Sequence, residues 1–157
     1  MANTNGPGFD PKTVAEHMGS TYPEPFRSQV AGRAKRRLGD AFGLTQFGVN
    51  LATLPPGCLA SMRHWHSHED EFLYVVEGEL VLATDAGEQI LKPGMVAGFP
   101  AGKADGHHLI NRNDKPAVYL EVGGRDPNDV CEYPDIDMRA EPFNGGSRYV
   151  HKDGKPY

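Results

Sequence analysis

The sequence predicts a single all-β domain, folded as an antiparallel sandwich or barrel. From Leu44 to Val122, short segments of β-branched, aromatic and alternating apolar residues recur at close, regular spacing. Each is closed by a turn signal: Pro55-Pro56-Gly57, Gly78, Asp85-Ala86-Gly87, Lys92-Pro93-Gly94 and Asn113-Asp114-Lys115-Pro116. Within this pattern, five of the seven histidines fall in two tight clusters.

In chain order, residues 1–9 read as a disordered lead-in. Asp10-Pro11 has the form of an N-cap followed by proline at the first helical position, and Gly19 the form of a stop, which predicts one short helix. Tyr22-Pro23-Glu24-Pro25 is an extended connector. Residues 26–43 are ambiguous, with Gly32, Gly39 and Gly43 arguing against a long helix. Strands are expected over 45–54, 59–66, 71–77, 79–84, 89–91, 95–99, 107–111 and 117–122. After Gly123 the periodicity fades. The polar, proline-marked but aromatic-bearing remainder predicts an irregular tail packed across the barrel or a partner subunit.

Composition sets the outer bounds. At 157 residues the chain can bury a core of its own, and 19 Gly and 13 Pro make it rich in turns. A net charge of −5 argues against nucleic acid as a partner. The run Arg33-Ala34-Lys35-Arg36-Arg37 is the one basic stretch; a solvated loop is expected of it, with an anion-binding patch as the alternative that no other feature supports. Cys58 and Cys131 form no CxxC and no disulfide framework, so two inert free thiols in a reducing compartment are expected. No apolar run suits a signal peptide or a membrane span, which points to the cytoplasm and away from a membrane partner.

The chemistry concentrates in Arg63-His64-Trp65-His66-Ser67-His68-Glu69-Asp70-Glu71. On a strand, side chains alternate, so His64 and His66 share a face while Trp65 points away. Glu71, opening the next strand after a turn, can converge with them. Neutral imidazoles and a carboxylate suit a divalent first-row metal. The second cluster, Asp105-Gly106-His107-His108, delivers a further histidine at the start of a strand, with Asn111 on the face of His107 and His108 on the other.

Together the two clusters resemble the paired motifs of the cupin superfamily. The first reads His64-x-His66, four residues, Glu71, six residues, Gly78. The second reads Gly94, five residues, Pro100-x-Gly102, a spacer, His107, three residues, Asn111. The spacers before His64 and before His107 are longer than is usual in the family, and both lie in loops. The resemblance covers roughly residues 45–122 and implies a jelly-roll β-barrel over 44–122, flanked by an N-terminal extension (1–43) and the C-terminal tail (123–157). It also implies one divalent metal, iron, manganese, nickel or zinc, held by His64, His66, Glu71 and His107, and a homodimer.

The alternative pair His66-x-His68 leaves too few residues before Glu71 for the family spacing, which places His68 at the mouth. Asn111 is then expected to orient a ligand. Tyr74, Arg63, Asp70 and Asp105 are possible proton carriers with no sequence feature to single one out. Phe72, Tyr74 and Val76 face away from Glu71 and belong to a dimer surface or to the space between sheets.

Because the fold hosts many chemistries, two functions follow. One is a metal-dependent enzyme on a small polar or anionic metabolite, of dioxygenase, isomerase or lyase type. The other is a non-catalytic binding or sensing protein with a metal anchor. The acidic charge and the lack of a helix-turn-helix pattern favour the enzyme.

Overall fold

A computed structural model describes residues 8–157; most of the expected disordered lead-in lies outside the described residues. The first half runs β1 (Glu16–Met18), α1 (Phe26–Gln29), β2 (Ala34–Arg37), α2 (Leu38–Phe42), β3 (Phe47–Leu54), β4 (Trp65–His66) and β5 (Glu71–Glu77). It continues as β6 (Leu80–Thr84), β7 (Gly87–Leu91), β8 (Val96–Phe99), β9 (His108–Ile110) and β10 (Ala117–Gly124). The last elements are β11 (Cys131–Tyr133), β12 (Met138–Phe143) and β13 (Gly146–Val150). Among the described residues the fold is all-β with two short α-helices. Among the described residues no helix is long and apolar enough to cross a membrane.

The strands form three sheets, ordered β1-β2-β3-β10-β5-β8, β13-β12-β11-β4 and β7-β6-β9. The largest is centred on β3 and β10, which pair antiparallel from Leu54↔Ala117 to Phe47↔Gly124. Alternation decides its faces. Leu54, Ala52, Ala117, Tyr119, Leu73 and Val75 all point inward and are buried. They pack with Leu80, Leu82, Leu91 and Leu109 from the small sheet into the main core. The turn at Gly78 has φ +76, and a Cβ there would come within 2.9 Å of Ala117, so this hairpin needs glycine.

The flanks are more ordered than the sequence suggests. Asp10 does cap a turn, accepting from the backbone N of Lys12, but only a 3-10 turn over Pro11–Thr13 follows. The expected helix stops there because β1 takes the next residues into pairing with β2. The basic run is a strand, not a solvated loop, with Arg36↔Leu51 and Lys35↔Ala52 in register with β3. Nor is the tail irregular, since β11, β12 and β13 join β4 in the second sheet. Its alternate residues Cys131, Tyr133, Met138 and Ala140 bury against Tyr22 and Val30 of the N-terminal flank. The two flanks thus provide each other's apolar cover, a long-range pairing that neither segment's local pattern reveals. The expected strand 59–66 is also shorter, reduced to Trp65–His66 preceded by single bridges at Leu59 and His64.

Asn111 departs from the expected ligand-orienting role. It is fully buried and donates to the carbonyls of Leu54 (2.7 Å) and Lys115 (2.8 Å), while its Oδ1 accepts from Asn113 N (2.9 Å). It therefore ties the end of β3 to the turn before β10. Asn111→Ala strands two carbonyls and one N–H, and should lower unfolding stability by about 3 kcal/mol in a urea titration. A loss below ~0.5 kcal/mol, the range of ordinary surface changes, would contradict this role.

Candidate metal centre

Four of the side chains singled out by the sequence are brought to one place by three separate pairings. His64 and His107 exchange backbone hydrogen bonds, His64 N to His107 O at 3.1 Å and His107 N to His64 O at 2.9 Å. His66 lies across from Cys131 of β11. Glu71, first residue of β5, lies across from Phe99 on one side and Gly123 on the other. A Cβ at Gly123 would stand in ordinary contact with Glu71, 3.8 Å from its Cγ.

The Nε2 atoms of all three histidines face one oxygen. They lie 2.8 Å (His107), 3.5 Å (His64) and 3.7 Å (His66) from Glu71 Oε2. Ligand atoms of His64, Glu71 and His107 all lie within 4.8 Å of one another. The far nitrogens are held elsewhere: His64 Nδ1 is 2.8 Å from the carbonyl of Met62, and His66 Nδ1 is 2.6 Å from Asp129 Oδ2. Hydrogen bonds on the far side fix ring orientation and, in the neutral ring, leave Nε2 with the lone pair. His107 has no such partner at Nδ1; its ring is stacked on Phe99 at 3.5 Å and nearly parallel. This arrangement of nitrogens and a carboxylate fits a divalent ion of the first transition row.

Electrostatically the cluster is a concentrated ion pair. Burial alone would raise the Glu71 carboxyl, yet hydrogen bonds from His107 and His64 hold it well below the usual range. Burial opposes charge on His66, but the Asp129 hydrogen bond, Cys131 and Glu71 outweigh it and push the ring up to about 11. His64 is raised too, with burial opposed by Cys131 and Glu71. Asp129 is lowered: its burial is outweighed by the hydrogen bonds from His66, His68 N and Ser67. A metal taking these nitrogens would have to displace the protons.

The centre opens into a cavity of about 1130 Å³. Glu121 and Lys35 also line it as a half-buried ion pair, and Asn50 Nδ2 donates to the same Glu121 oxygen at 2.9 Å. Lys35 is lowered, mainly by burial. Arg37 and Arg125 line the cavity as well, and Arg125 pairs with Asp40.

The other candidates lie apart. His68 is exposed and bonded to Ser67, and His108 Nδ1 meets the carbonyl of Ser61. Arg63 is clamped between Asp85 and Asp135. Asp70 accepts from Ala101 N and Asp105 from Asp85 N, both loop ties. Tyr74 is on the outer face and 40% exposed.

The comparisons with known proteins agree with this fold. A Cupin domain family model matches residues 50–123. The chain superposes with TM-score 0.91 on a sugar phosphate isomerase from a cupin superfamily of Silicibacter pomeroyi, at 45% identity over 96% of each chain. A proposed sugar phosphate isomerase from Acidithiobacillus ferrooxidans follows at 31% identity and TM-score 0.72, over 80% of each chain. The polyketide cyclase RemF of Streptomyces resistomycificus, at 20% identity and TM-score 0.61 over 76% of this chain and 79% of its own, shares the fold. No curated protein matches the sequence. The chain belongs to the cupin superfamily.

Asp129, Asn50 and Glu121 escaped the sequence reading, while Cys131 was expected to be inert and Lys35 to be solvated. Glu121 left a signal: it has the parity of the buried Ala117 and Tyr119, so a charge there had to face inward. Asp129 left none, being a loop residue joined to His66 only by the fold.

In protein stripped of metal, a His66 pKa raised above the unfolded value stabilises fully below about pH 6.5 and loses that contribution as pH rises through the folded value. Nitrogen-15 NMR should therefore find the His66 ring cationic at about pH 8, and Asp129→Asn should lower its titration by ~1 unit or more. A neutral His66 ring in the wild-type protein at that pH would contradict the assigned coupling.

Proposed function

We propose that this chain is a metal-dependent isomerase of a small phosphorylated sugar, with one divalent ion held by His64, His66, Glu71 and His107. The observation that carries the reading is the placement of that donor cluster and the Glu121–Lys35 pair in one polar cavity. Full-length similarity to a sugar phosphate isomerase supports the substrate class. Bound there, the ion would polarise the substrate's oxygens and make the adjoining C–H more acidic.

The residues of the chain divide the remaining work. Interconverting an aldose and a ketose moves one proton between neighbouring carbons and one between their oxygens, with no further reactant. Glu121 is the carboxylate placed to accept the carbon-bound proton and return it one carbon away. Lys35 and Asn50 hold its Oε1 and keep the carboxylate oriented. Arg37 and Arg125 offer guanidinium groups along the cavity wall for a phosphate.

The same reading takes the three sheets as walls of a jelly-roll barrel over residues 44–122, capped by its two flanks. The stripe of Phe72, Tyr74, Val76 and Val96, each 40–52% exposed on β5 and β8, is the surface on which a homodimer would form. Free Cys58 and Cys131 suit a reducing compartment such as the cytoplasm.

Protein loaded with manganese(II) should interconvert at least one aldose and ketose monophosphate in a panel followed by NMR. Glu121→Gln should lower kcat by about 100-fold or more while metal content stays at the wild-type level. Absence of interconversion across the panel with metal bound would reject the isomerase reading, and full activity of Glu121→Gln would reject the role of Glu121.

A further inference from the structure

Among the side chains lining the cavity, Cys131 has no role in the isomerase reading. Cys131 is buried, unpaired in any disulfide, and lines the same space as the histidines. Its sulfur and one ring nitrogen each of His64 and His66 lie within 4.8 Å of one another. We propose that Cys131, His64 and His66 form a second, softer donor set in this cavity, which takes thiophilic ions such as zinc or cadmium.

Geometry and chemistry both support the set. Around a tetrahedral zinc, with bonds of about 2.0–2.1 Å to nitrogen and about 2.3 Å to sulfur, the ligand atoms stand roughly 3.3–3.6 Å apart. The ligand atoms of the three residues stand no more than 4.8 Å apart, so closing on an ion asks for a shift of at most about 1.5 Å. The backbone positions are already set. Cys131 lies in register with His66 on one side and with Ala140 of β12 on the other, so the thiol cannot slide along the wall. The other cysteine, Cys58, packs against the main core instead.

Softness separates the two sets. Thiolate with two imidazoles favours zinc and cadmium, whereas three imidazoles with a carboxylate also accept the harder manganese and iron ions, which thiolate does not favour. Binding converts the thiol to a metal-bound thiolate and releases its proton to solvent. Because His64 and His66 belong to both sets, one ion excludes the other. Zinc or cadmium held through Cys131 would therefore block the centre that the proposed isomerase needs. This inference rests on the reading above only in requiring His64 and His66 to be free to ligate.

The test is zinc K-edge X-ray absorption on the full-length wild-type protein with one equivalent of zinc, which requires no variant to fold. The expected result is one sulfur scatterer at about 2.3 Å beside nitrogen or oxygen at about 2.0–2.1 Å. Cys58→Ala should keep the sulfur shell. Cys131→Ala should lose it and weaken zinc binding about tenfold or more, with manganese affinity changed by less than about threefold. A shell of nitrogen and oxygen alone, or a sulfur shell that survives Cys131→Ala, overturns the inference while leaving the isomerase reading intact. A protein that binds neither zinc nor manganese overturns both.

Discussion

Three imidazole Nε2 atoms gathered around one oxygen of Glu71 are the arrangement on which the rest of the site depends. A buried carboxylate is costly alone, and so is a buried imidazolium; here each offsets the other. What prevents the rings from turning away lies outside the cluster. Met62 and Asp129 hold the far nitrogens of His64 and His66, while Phe99 covers the face of His107. One of these supports, Asp129, is remote in sequence from the histidine it holds, so the cluster depends on the whole fold.

The largest sheet shows how one set of strands builds both a core and a cavity. Successive inward rows across β3, β10 and β5 are Leu54–Ala117, then Ala52–Tyr119–Val75, then Asn50–Glu121–Leu73, then Gly48–Gly123–Glu71. The rows change from apolar to polar along the strands. At the apolar end the side chains interlock with the leucines of the small sheet. At the other end, two glycines replace bulk with space, and the charged groups of the cavity occupy its wall. The apolar end fixes the register, and the register sets where Glu71 and Glu121 stand.

Much of the sheet region was legible, because strands there follow a two-residue period and end at glycine or proline turns. β3, β5, β6, β8 and β10 lie within a residue or two of their expected limits. The four residues His64, His66, Glu71 and His107 were also legible as a group, since their types and spacings are unusual together. What was not legible depends on contacts between distant segments. β11 and β12 bury Cys131, Tyr133, Met138 and Ala140 against Tyr22 and Val30, a contact that neither segment's local pattern contains. Asp129 and Cys131 approach His66 only through the pairing of β11 with β4. Asn111 shares a face with His107 in the sequence pattern, yet its amide is consumed by backbone carbonyls.

The central claim is that one divalent ion occupies the centre formed by the three histidines and Glu71. The most direct measurement is an anomalous-difference map from crystals of the manganese-loaded protein. The account predicts one strong peak at bonding distance, about 2.0–2.3 Å, from Nε2 of His64, His66 and His107 and from the Glu71 carboxylate. A peak beside Glu69 and Asp129, whose oxygens also lie near His66, or no peak in the cavity at all, would contradict it.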